Sequence, residues 1–163
     1  MHDILLVIFI WIHLLSAVVW VGGIFFVLFV ALPAAKRILD QPGKLMGAIG
    51  KRFVPLANIS ILLILISGIS MTLTSHSFSE VVSLNSSWSQ SLLIKILVAL
   101  TMMSIHFYRG LILTPKIEKL TAEGSSTEEV RKLQHLSLNL VKTNFALSMV
   151  VLFLTGMLSV YRN

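Results

Sequence analysis

Hydrophobic and polar positions fall along this chain in long blocks. From Ile4 to Leu32 there is no Asp, Glu, Lys or Arg, well beyond the roughly 20 apolar residues a helix needs to cross the hydrocarbon core. Similar blocks run from about Phe53 to Thr74, from about Leu92 to Leu113 and from about Asn139 to Tyr161. The pattern predicts four transmembrane helices. A secretory signal peptide competes for the first block, but Met1, His2 and Asp3 supply no basic charge. The apolar run is also far longer than the about 7 to 15 residues of such a segment. Pro33, Pro42 and Gly43 are expected to end the first helix and open the first connection. Glu118 to Leu136 is charged enough to form a short helical extension.

Composition sharpens this picture. The chain has 163 residues, 56% hydrophobic and 12% charged, with a mean hydropathy of +0.90. Soluble domains carry about a quarter charged residues, so a soluble fold is excluded. The length fits one domain, 1–163. Cysteine is absent, which removes zinc-thiolate sites, iron–sulfur clusters, disulfides and thiol nucleophiles. Any metal must be held by His, Met, carboxylate or backbone.

The net charge of +6 reads as membrane orientation rather than a nucleic-acid partner. Lys36, Arg37, Lys44, Lys51 and Arg52 lie in the first connection, and Lys116, Lys119, Arg131 and Lys132 in the third. The second, Ser75 to Gln90, has neither Lys nor Arg. Positive charge collects on the cytoplasmic side. The expected fold is an all-α, multi-pass four-helix bundle of the cytoplasmic membrane. Both termini and the Ser-rich loop with His76, Glu80 and Trp88 then lie outside. A weak internal repeat is also visible: spans two and four start from Arg52 and Lys142, carry Asn58 and Asn144 early, and close on Ser67-Gly68 and Thr155-Gly156. Those small pairs also suit close helix contacts.

An ionisable group at the centre of a span costs about 2.5 to 3.5 kcal/mol, so it normally faces the bundle interior and has a task. His13 and His106 meet that test. His13, Ser16, Ala17, Trp20 and Gly23 recur at helical spacing, with Leu14, Val18, Val21 and Phe25 turned elsewhere. On the third span Lys95, Ala99, Met102, His106 and Arg109 share a face. Two imidazoles at similar depth on antiparallel helices suit the axial positions of haem iron. Alternatively, each His stands alone, hydrogen-bonded to Ser16, Asn58, Asn144 or a backbone carbonyl. Trp20 either stacks on a macrocycle or packs as core. Lys95 either snorkels or pairs with a ligand carboxylate such as a haem propionate. Met71, Met102, Met103 and Met149 offer thioether sulfur for Cu(I), although Met is also common core filler. His2 and His76 read as solvated residues of the outer face and His135 as a solvated residue at the cytoplasmic end. Arg109 and Lys142 read as snorkelling anchors.

The segments HLLSAVVWVGGIFF from His13, RFVPLANISILLILISG from Arg52, LLIKILVAL from Leu92, LTPKI from Leu113 and LFLTG from Leu152 together resemble the copper-resistance D (CopD) domain family. The chain is also similar to a second branch of that superfamily, the HemJ-type protoporphyrinogen IX oxidases. These are four-helix membrane proteins that bind haem b, with a signature His on helix one and Lys on helix three. Carried over, those positions are His13 and Lys95, and His106 followed by Phe107 also looks like that branch. The resemblance implies a four-helix membrane fold and favours haem over isolated histidines.

The leading expectation is a haem b protein with His13 and His106 as ligands, Lys95 near a propionate and Trp20 beside the ring. It would transfer electrons between a quinone or redox protein and a partner. The alternatives are copper transport or resistance, a HemJ-like oxidase, and an accessory subunit of a larger complex or a homodimer. Enzyme status is left open.

Overall fold

The computed structural model describes residues 2–74, 85–124 and 127–161. The described residues are helical, without strands. Four helices are long and apolar enough to cross a membrane: Asp3–Ile38, Pro42–Leu73, Ser87–Ala122 and Glu128–Val160, of 36, 32, 36 and 33 residues. At 1.5 Å per residue each exceeds the about 30 Å hydrocarbon core, so these helices also contain the basic segments that the sequence pattern assigns to connections. Contacts divide the chain into two compact units, Met1–Ser89 and Gln90–Asn163.

In the first unit, α1 (His2–Phe26) passes through a π-helical turn, Val27–Ala31, into α2 (Leu32–Ile38), and α3 is Pro42–Thr74. Pro33 therefore does not end the first helix. Its ring has no N–H and, in a regular helix, would strike the carbonyl of Phe29. The backbone widens instead: the Leu32 N–H donates to the Val27 carbonyl, five residues back, and Pro33 sits in the first turn of α2, where a missing N–H costs nothing. The true break is three residues, 39–41, with Leu39 extended. Pro42 and Gly43 open α3 rather than a loop.

α1 packs on α3. Ser16, Trp20, Ile24, Ala31 and Ala35 are buried along one stripe, against a chain that buries Ala57, Ser60, Ile61 and Ser67. The Phe53 ring lies over Gly23 so closely that a Cβ there would collide with it. Leu14, Val18 and Phe25 on the other side are exposed, as a lipid-facing surface should be.

The second unit repeats the order of elements. α4 (Ser87–Tyr108) leads through a second π-helical turn, Arg109–Leu113, into α5 (Thr114–Ala122), and α6 is Thr127–Tyr161. Ser86 and Ser89 cap α4 reciprocally, the Ser89 N–H donating to Ser86 Oγ at 3.1 Å and the Ser86 N–H to Ser89 Oγ at 3.3 Å. The second π turn again precedes a proline, Pro115, and the Thr114 N–H donates to the Arg109 carbonyl. α6 packs on α5 and on this π turn. The expected extension over 118–136 is helical at both ends, interrupted after Ala122 by a turn in which Gly124 has φ +67°, a conformation natural to glycine.

The internal repeat is stronger in the backbone than in the sequence. A shift of 82 residues maps one π turn onto the other, Pro33 onto Pro115 and buried Ala31 onto buried Leu113. A shift of 88 maps Ser67-Gly68 onto Thr155-Gly156 and buried Ser60 onto buried Ser148. Ser67 Oγ donates to the Leu63 carbonyl and Thr155 Oγ1 to the matching Val151 carbonyl. Asn144 then corresponds to Leu56 and not to Asn58, which is exposed.

Candidate functional site

The first polar position is His13. Its Nδ1 lies 3.0 Å from Ser67 Oγ. Ser67 has one hydroxyl proton, directed at the carbonyls of Leu63 and Ile64, so its oxygen accepts and His13 Nδ1 donates. This fixes the tautomer with Nε2 carrying the lone pair, the arrangement of a metal-ligating imidazole oriented by its other nitrogen. Ser67 is not among the Ser16, Asn58, Asn144 and main-chain partners considered from sequence. Gly68 lies beside the ring: a Cβ there would meet His13 Cε1 at 3.5 Å.

The Ser67 pairing follows from where the turn between α2 and α3 falls. His13 lies 25 residues before Ile38, the end of α2, and Ser67 lies 25 after Pro42, the start of α3. Equal counts from a short turn put residues at one level of an antiparallel pair, since each residue rises about 1.5 Å. The same count sets Trp20, 3% exposed, level with buried Ser60.

In the second unit His106 is 5% exposed and stands edge-on to Phe107, ring centres 5.5 Å apart. It shares its buried face with Met102 and Met103, 2% and 6% exposed. Lys95, Ala99 and Arg109 are half-buried on the side predicted from spacing. Counted from the turn after α5, His106 comes within one residue of the level of Asn144, Met102 of Ser148, and Lys95 of Thr155. Asn144 is buried and its Oδ1 has no hydrogen-bond partner. Sequence reasoning named Asn144 only as a repeat marker, because its burial depends on how α6 is rotated.

Other candidates fall away from the core. Met149 and His135 are exposed and Met71 is half-buried. His76, Glu80 and the side chain of His2 lie outside the described residues. Among the described residues no three His, Asp or Glu side chains gather as a metal-holding group. Among the described residues the interior donors include two imidazoles and the thioethers of Met102 and Met103, ligands that suit a soft ion.

The comparisons agree with that chemistry. No curated protein and no solved structure matches the chain. The family model of copper resistance protein D matches residues 47–158, well over half of the chain. The matched span includes Phe53, Lys95, Met102, Met103, His106 and Asn144, and begins after His13 and Trp20. The comparisons show no similarity to the HemJ-type oxidases and lend haem no support. With four membrane-length helices and this match along three of them, the chain belongs to the copper resistance protein D family.

Proposed function

We propose that this multi-pass membrane protein handles copper as its substrate, in transport or resistance. The family match over residues 47–158 carries the reading. The donors support it: His13 presents a lone-pair nitrogen at Nε2, and His106 is buried beside two thioethers. Imidazole and thioether are ligands that Cu(I) accepts and that Mg²⁺ or Ca²⁺ do not favour. The haem reading, with a quinone or redox-protein partner, rests on His13, His106, Lys95 and Trp20 and on a resemblance to the HemJ-type branch that the comparisons do not show, and is the weaker of the two. The cytoplasmic membrane, with both termini outside, completes the proposal.

The test is copper content and copper tolerance in cells lacking the gene, with and without the wild-type chain restored. Total cell copper at fixed external copper is expected to shift on deletion and to return on complementation. Unchanged copper content and tolerance, together with a Soret band in the purified protein, would overturn the copper reading in favour of haem.

A further inference from the structure

Within one turn of α4 the chain places three side chains able to bind a soft cation. Met102 and His106 are four residues apart and Met103 and His106 three, spacings that bring side chains together on a helix surface. All three are more than nine-tenths buried. Met alone would read as core filler. The repeat argues otherwise, because the residues 82 positions earlier are Trp20, Val21 and Ile24, an ordinary packing set. The second hairpin holds two thioethers and an imidazole where the first holds apolar groups.

An independent observation comes from α6. Asn144 stands where the first hairpin has Leu56, within one residue of the level of His106, and its buried Oδ1 has no hydrogen-bond partner. A buried amide oxygen left this way costs about 1 to 3 kcal/mol. A metal-ligating His normally donates its second ring N–H to an oxygen acceptor, and the amide oxygen of Asn144 is one that is not already taken.

We propose that Met102, Met103 and His106 form a Cu(I) site within the second hairpin, with Asn144 as a positioning residue for His106. The proposal rests on the copper reading and names the residues that meet the ion. Cu(I) enters and leaves as Cu(I), through two neutral sulfurs and one neutral nitrogen, and no electron or proton is consumed. Arg109, one turn away and half-buried, adds positive charge that opposes tight retention, as suits a site through which an ion passes.

The experiment uses the full-length protein in detergent under anaerobic conditions, titrated with Cu(I) against a chromogenic Cu(I) chelator, with copper X-ray absorption on the loaded sample. The wild type is expected to hold one Cu(I) per chain with sulfur and nitrogen neighbours. The Met102→Leu, Met103→Leu double variant keeps core volume and is expected to lose the sulfur neighbours and the competition with the chelator. Asn144→Leu is expected to weaken binding by about 10- to 100-fold, the usual effect of removing a group that orients a ligand. Met149→Leu, on an exposed position, is expected to change nothing. Wild-type binding that the double variant retains, sulfur neighbours included, would overturn the site while leaving the copper reading intact. Wild-type protein that takes up no Cu(I), in cells whose copper content still depends on the gene, would overturn the site alone. Loss of both would overturn the two together.

Discussion

At the scale of single residues, His13 shows how one hydroxyl decides what an imidazole can do. Ser67 directs its proton to the main chain one turn back, so it accepts from His13 Nδ1–H, and that bond sets the orientation of the ring. Ser67→Ala removes that acceptor. The variant is expected to lose about 1 kcal/mol of stability in detergent unfolding, the net worth of one hydrogen bond. It should also shift the ¹⁵N signals of His13 toward a mixture of tautomers, while Ser67→Thr keeps the wild-type pattern. An unchanged ¹⁵N spectrum in Ser67→Ala would mean that another group sets the tautomer.

At the scale of elements, close packing and π turns shape each hairpin. Gly23 admits the Phe53 ring, and a methyl group there would overlap it. Gly23→Ala is therefore expected to destabilise the α1–α3 pair by about 1 to 3 kcal/mol, the usual cost of overpacking. Phe53→Leu in the same chain should recover part of the loss. Gly22→Ala, where a Cβ meets nothing within 4 Å, serves as the neutral comparison. Thermal unfolding of the three variants decides the matter; equal stability of Gly23→Ala and Gly22→Ala would contradict the packing argument. The helical stripes were legible in advance from the spacing of Ser16, Trp20, Met102 and His106. The passage of helices through Pro33 and Pro115 was not, because proline as a helix stop is a local rule. The π turn that evades it spans five residues of backbone with no distinctive side chain.

At the scale of the whole molecule, the distribution of Lys and Arg sets orientation in the membrane. The absence of cysteine makes this easy to test, since an introduced thiol has no background. Asn163→Cys is expected to react with a membrane-impermeant maleimide on intact cells, and Gln41→Cys only after lysis. The opposite pattern would invert the topology and with it the direction assigned to each helix. The proposed copper handling also belongs to this scale, since it requires helices that span the bilayer and donors that lie between their ends.

The amino-acid sequence by itself determined the number of spans, the helical class, the exclusion of thiolate chemistry and the faces on which His13, Lys95 and His106 lie. Hydrophobic transfer and helical periodicity act locally and so leave their mark on local pattern. Tertiary structure decided that Ser67 serves His13, that Phe53 rests on Gly23, and that the amide oxygen of Asn144 is buried without a hydrogen-bond partner while Asn58 is exposed. Each of these depends on the rotation of one helix about its axis and on its level against another. Neither is encoded in any single segment; both emerge only when two segments pack.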